Sequence, residues 1–150
     1  QKAVELGVSA IHPILSKQGM VKIPPSHFPK KKEKWERIAL EACKQCGQNL
    51  LPKISAPENL TTYLSRSDHL SIKLVGALLP ETKPMKTIFS KIAEPDSVIL
   101  MVGPEGDFSP HEYEEIQSKH FLPVSLGGLT LRVETAILTM ISSVRYQFSC

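Results

Sequence analysis

The chain has 150 residues and a formal charge of +3, with fourteen lysines among its eighteen basic residues. That length allows one compact domain with a real core, and ordinary apolar and charged fractions place it with globular proteins. The best apolar run, Val98–Val102, is far short of the roughly 20 residues of a membrane span; no signal peptide opens the chain, and three cysteines make no disulfide framework, so a reducing, cytoplasmic setting is expected. The mild basic excess permits an anionic partner without demanding one.

The chain opens on Gln1 rather than Met, and "QKAVELG" reads as the end of a helix, so upstream sequence is expected. "SAIHPILS" (9–16) predicts a strand. Next comes a proline-broken stretch, "KIPPSHFPKKKEK" (22–34), which runs into a basic helix start. Over Lys31 to Cys46, the positions Trp35, Ile38, Ala39, Ala42, Cys43 and Cys46 repeat with helical spacing. "LPKIS" (51–55) predicts a short strand, and "PENLTTYLSR" (57–66) a short helix with Pro57 near its start. "SIKLVGALL" (71–79) and "SVILMVG" (97–103) are nearly continuous apolar runs, as in strands covered on both faces. Ser109, Pro110 and Glu112 have the spacing of N-cap, N1 and N3 of a capping box, with Phe108 and Tyr113 placed as a hydrophobic staple. "FLPVSLG" (121–127) gives another strand, and Val133, Ile137, Met140, Ile141, Val144 and Phe148 form one stripe of a closing helix.

Strand–helix alternation of this kind predicts an α/β fold with a mostly parallel sheet flanked by helices. Ligands in such folds sit beyond the carboxyl ends of the strands, where both glycine turns, 103–106 and 127–128, would fall. "GPEGDFSPHE" (103–112) is either a backbone-lined pocket at a helix start or an ordinary turn whose glycines supply positive φ. It is neither a Walker motif nor G-x-G-x-x-G, and it carries Glu105 and Asp107 but no lysine, so a bare phosphate is a poor ligand. In "SLGGLTLRVETA" (125–136), Arg132 and Glu134 open a helix as ligand contacts or as a solvated pair. "CKQC" (43–46) places both sulfurs on the apolar helix face and reads as two buried, reduced cysteines. The five histidines have no ligand spacing, so no metal is assigned. The "KKKEK" run, with Lys17, Lys22 and Lys53 in nearby segments, is a solvated face or a nucleic-acid contact.

"ELGVSAIHPILS", "KWERIALEACKQCGQN", "GPEG-FS" and "LG---LRVETA", in this order and spacing, resemble the family of small-subunit (16S) ribosomal RNA methyltransferases that modify a uridine at N3. That family belongs to the SPOUT superfamily. The resemblance implies a C-terminal deep trefoil knot, a homodimer and S-adenosylmethionine as cofactor. Three loops would hold the cofactor, Leu78–Pro80, Gly103–Gly106 and Leu126–Leu131 with the helix start after it, and the residues singled out in them are Leu79 and Pro80; Gly103, Pro104, Glu105 and Gly106; and Leu126, Gly127, Leu131 and Thr135. Arg132 and Glu134 become the catalytic candidates, with Glu105 an alternative proton acceptor, and Lys17, Lys22, Lys30 and Lys31 become candidate RNA contacts. It also implies that 1–150 is the methyltransferase domain, lacking its first strand and an upstream RNA-binding β-barrel. The chain departs from the family at Gln18, Gln48 and Leu129, where arginine is common, and at Asp107, where glycine commonly follows "GPEG". The three lost arginine positions and the missing N-terminal domain keep a second reading open, a dimeric module of the same fold that binds RNA or an adenosyl ligand with weak or no transfer.

Overall fold

A computed structural model describes residues 1–17, 19, 24–66 and 72–148. After α1 (Lys2–Glu5), the run predicted as one strand forms two bridges, β1 (Ala10–Ile11) and β2 (Ile14–Leu15). Pro13 divides them, because a residue without an N–H cannot donate to a ladder. Its carbonyl still accepts from the Glu58 N–H at 3.2 Å.

Helix α2 (Phe28–Cys46) starts three residues before the predicted Lys31, with a proline in its first turn, and ends on Gly47 at φ 74. A left-handed C′ residue is where glycine is favoured. Its buried stripe is narrower than predicted: Ala39, Ala42 and Cys43 pack with Val4 and Ile54, while Ile38 and Cys46 are exposed. The helix is covered along one side only, so Cys46 in the last turn lies beyond its packed face. The expectation of two buried cysteines therefore holds for Cys43 alone.

β3 (Lys53–Ile54) and β4 (Glu58–Asn59) pair in parallel with β1 and β2 respectively. Helix α3 (Leu60–Ser65) begins where the Asn59 side chain accepts from the Thr62 N–H at 2.8 Å. That cap, rather than Pro57, sets its start.

The central sheet contains β5 (Ile72–Gly76), β6 (Lys83–Pro84), β7 (Val98–Val102) and β8 (Leu122–Ser125), in the order β6-β8-β5-β7 with every pair parallel. Between them run α4 (Met85–Phe89) and α5 (Pro110–Ser118), and α6 (Val133–Phe148) closes the described chain with the predicted bounds. Alternate residues of β5 and β7 feed two cores. Val75 and Met101 pack with Leu60, Tyr113 and Ile116 from α3 and α5. Leu74 and Leu100 pack with Phe89 and Met140 from α4 and α6. Both faces are thus covered, as the apolar runs predicted. The buried Lys73 donates from Nζ to the Lys119 carbonyl at 3.1 Å, just past the end of α5 and 5.8 Å from the Phe121 ring centre. A cation is favoured at that helix terminus. Among the described residues, no helix is long and apolar enough to cross a membrane.

Candidate functional site

The carboxyl ends of β5, β7 and β8 lie side by side, and the loops that leave them enclose a cavity of about 260 Å³. Gly76–Leu78 form one wall, 102–105 with Asp107 a second, and 125–127 with 129–133 the third, where Ala136 on α6 joins them. Its charged lining residues are Glu105, Asp107 and Arg132.

The second wall is pinned. A Cβ on Gly103 would lie 3.0 Å from Asp107 Oδ1 and 3.3 Å from the Phe108 backbone nitrogen, so glycine is needed here for close approach. Positive φ falls instead on Asp107, at φ 61. Aspartate tolerates that region better than most side chains. Asp107 Oδ1 accepts from the Phe108 N–H at 2.8 Å and from the Tyr113 hydroxyl at 2.7 Å. Burial, reinforced by that carboxylate, pushes the Tyr113 phenol far above its ordinary range, so it stays a donor. The Phe108 and Tyr113 rings meet edge to face with centroids 5.6 Å apart, forming the predicted staple.

The predicted capping box is complete. Glu112 Oε2 accepts from the Ser109 N–H and hydroxyl, each at 2.9 Å, and the Glu112 N–H donates to Ser109 Oγ at 3.3 Å. Glu112 Oε1 accepts from the backbone N–H of Lys17 at 2.9 Å. Burial alone would raise this carboxyl, but the hydrogen bonds from Lys17 and Ser109 outweigh it and hold the group below the usual range.

The third wall is open. Gly127 has φ 119, and a Cβ there would find no atom within 4 Å. Its N–H donates to Ser125 Oγ at 3.3 Å. Leu129 is 79% exposed at the mouth of the cavity.

Of the residues carried over by resemblance, Gly103, Pro104, Glu105, Leu126, Gly127, Leu131 and Arg132 line this cavity. Leu79 instead packs against the α3–α5 core, and Pro80 and Gly106 are exposed outside the lining. Glu134 and Thr135 line a separate, open groove with Leu138, Thr139 and Tyr146. Helical rotation explains the split: at about 100° per residue, Val133 and Ala136 share the cavity side and the two positions between them turn away. Residues not singled out individually from sequence include Gly76, Ala77, Ser125 and Thr130. Their signal was position, since each lies at or just beyond a strand's carboxyl end or in a glycine loop. Asp107 was noted for its charge, but nothing local foretold its conformation.

Of the lysines, Lys17 is exposed beside the start of α5, Lys30 and Lys31 are exposed on the first turn of α2, and Lys22 lies outside the described residues. His12 Nδ1 is 2.9 Å from Ser55 Oγ, and its ring lies 5.3 Å from that of Tyr63; burial chiefly lowers its pKa. Among the described residues, no three His, Cys, Asp or Glu side chains stand together as a metal site.

A family model for the RNA methyltransferase domain matches residues 1–145. The ribosomal RNA small subunit methyltransferase E of Buchnera aphidicola from Schizaphis graminum is 36% identical over 148 residues, 99% of this chain and 58% of the relative. The protein of that name from Bacillus subtilis is 29% identical, over 98% of this chain and 59% of its own length. The chain thus spans a little under three fifths of these relatives. A methyltransferase from Legionella pneumophila, solved with bound S-adenosylmethionine, superposes with a TM-score of 0.88 at 34% identity, covering 97% of this chain and 58% of that one. The Neisseria gonorrhoeae ribosomal RNA small subunit methyltransferase E, also bound to S-adenosylmethionine, gives 0.84 at 30% identity, covering 97% and 57%. On the match across residues 1–145, the chain belongs to the RNA methyltransferase domain family.

Proposed function

We propose that this chain is the catalytic domain of an enzyme that uses S-adenosylmethionine to methylate a uridine at N3 in small-subunit ribosomal RNA. The observation that carries the reading is the three-walled cavity at the carboxyl edge of the parallel strands, on a chain similar to two methyltransferases solved with that cofactor. The residues present suit the group. S-adenosylmethionine has no phosphate, and the cavity is lined by two carboxylates and no lysine. Gly127 leaves the main chain bare on the open wall, and Leu78, Leu126 and Leu131 offer apolar surface to an adenine.

When bound, S-adenosylmethionine supplies an electrophilic methyl group on a cationic sulfur. The protein's own task begins with holding uridine N3 in line at near-attack distance, which can supply roughly 7–11 kcal/mol. A neutral imide is a weak nucleophile, so its proton must leave. Glu105 lines the cavity and is the acceptor within the chain. Glu134, on the separate groove, reaches the reacting base only across an interface with a second copy. Arg132 stabilises the negative charge that spreads onto the uracil oxygens. N3 is a pairing edge, so the target is unpaired or flipped out.

In the same reading the chain is cytoplasmic, adopts the SPOUT trefoil knot and pairs through α6, whose groove carries Leu138 and the 92% exposed Tyr146. Lys17, Lys22, Lys30 and Lys31 contact RNA phosphates, and an upstream β-barrel supplies further affinity. The test is methyl transfer by the protein with its flanking sequence restored. Small-subunit RNA would be incubated with methyl-labelled S-adenosylmethionine, digested to nucleosides and resolved by mass spectrometry. Labelled 3-methyluridine is expected. Label in another nucleoside would overturn the assigned target. Cofactor binding with no label would favour the binding module, which the apolar Leu129 at the cavity mouth motivates.

A further inference from the structure

Asp107 stands apart from the other charged residues of the cavity. It is half-buried, whereas Glu105 and Arg132 are exposed. Oδ1 is held by two donors, the Phe108 amide at 2.8 Å and the Tyr113 hydroxyl at 2.7 Å, and lies against the face of Gly103 where a Cβ would come within 3.0 Å. The carboxylate therefore has a fixed place and a fixed orientation. Oδ2 takes part in no hydrogen bond among the described residues, and no buried side-chain oxygen among them lacks a partner, so Oδ2 is open to solvent on a residue that lines the cavity. Both donors to Oδ1 are uncharged, so the full negative charge remains. Partial burial weakens its screening by water and salt. Its φ of 61 is conformationally unfavourable for a side chain, and the surrounding bonds hold the carboxylate there nonetheless.

We infer that Asp107 sets the charge selectivity of this cavity: its anchored carboxylate favours the sulfonium ligand S-adenosylmethionine over the uncharged thioether S-adenosylhomocysteine. The inference rests on the cofactor reading above. The two ligands differ by one methyl group and one positive charge at sulfur, and share the adenosine and the amino-acid end. A fixed anion in the cavity wall acts on that difference, whereas glycine backbone and apolar walls bind both ligands alike. The same charge speeds the exchange of product for fresh reactant, because the attraction ends when the sulfur becomes neutral.

The experiment is calorimetric titration of the chain and of its Asp107→Asn variant with each ligand, at low and high salt. Asparagine tolerates the left-handed conformation, and its amide oxygen keeps both hydrogen bonds, so charge is the main change. The variant is expected to bind S-adenosylmethionine about tenfold more weakly and S-adenosylhomocysteine within about twofold of the parent. Added salt narrows the parent's preference and leaves the variant's unchanged. If Asp107→Asn does not fold, Asp107→Gly, which enters the same φ without strain, carries the same expectation for the ratio of affinities. Equal loss for both ligands overturns the inference, because Asp107 then meets a group they share or only supports the turn. An unchanged ratio overturns it as well. A parent chain that binds neither ligand removes the cofactor reading itself, and the inference with it.

Discussion

The turn at 103–108 and the turn at 125–133 both follow a parallel strand and both carry glycine, but a side chain added to each would meet different things. At Gly103 it would strike Asp107 Oδ1 and the Phe108 backbone, in a turn already filled by its own hydrogen bonds. At Gly127 it would meet nothing within 4 Å, but the backbone has φ 119, which L side chains rarely adopt. The first glycine fills a tight space inside the protein's packing, and the second is bare backbone facing the cavity. The molecule thus presents a ligand with one rigid wall and one wall whose free side is completed only by what binds there.

Gly127→Val is expected to have the largest effect. A β-branched residue is strained at that φ and projects into open space, so S-adenosylmethionine affinity should fall by more than about 100-fold while the chain stays folded. Calorimetry beside a thermal melt checks this; binding within about threefold of the parent would break the contrast between the two walls. Next is Arg132→Ala at the end of the open wall, expected to lower single-turnover transfer about 100-fold and cofactor affinity only a few-fold. Binding and transfer lost in the same proportion would make Arg132 a cofactor contact instead.

Gly103→Ala should act through stability. Displacing Asp107 and Phe108 should cost about 1–3 kcal/mol in denaturant unfolding, with ligand affinity following only indirectly. Normal stability with lost binding would move Gly103 into the same category as Gly127. Glu112→Gln is the smallest change, about 1–2 kcal/mol at neutral pH, because an amide replaces a carboxylate that accepts from two backbone amides and a hydroxyl. The folded pKa of Glu112 is depressed, so its contribution is full above the unfolded value of about 4.3 and is lost as pH falls through the folded value. Urea unfolding of parent and variant should therefore converge in acid; a constant gap across pH would show that shape, not charge, is responsible.

The elements most legible in the sequence were those whose signals are local. Ser109, Glu112, Phe108 and Tyr113 announced their cap and staple by spacing alone, and α6 matched its apolar stripe from Val133 to Phe148. The apolar runs of β5 and β7 announced burial on both faces. Less legible were features set by neighbours distant in sequence. β6 and α4, at Lys83–Phe89, have no periodicity long enough to read. Glu134 follows Arg132 by two residues, yet helical rotation puts it on another groove. At the site, strand ends predicted where the cavity forms, but motif spacing alone could not separate Leu78, which lines it, from Leu79, which turns into the core. The left-handed Asp107 was hidden because its conformation depends on Tyr113 and on the space above Gly103.

The bond from the Lys17 amide to Glu112 joins residues 95 apart in sequence. A capping box can close within one turn of a nascent helix, but this third donor reaches the carboxylate only after a loop of that length has closed, which is entropically slow to achieve. Refolding should thus complete α5 in two stages, with its local cap early and its tether to the amino-terminal segment late. Contacts made after the rate-limiting step leave refolding rates nearly untouched and govern how fast the native chain opens. If the Lys17–Glu112 bond, at the base of the helix that carries the rigid wall of the cavity, forms after that step, its loss should speed unfolding and leave refolding unchanged, which stopped-flow kinetics of Glu112→Gln would read.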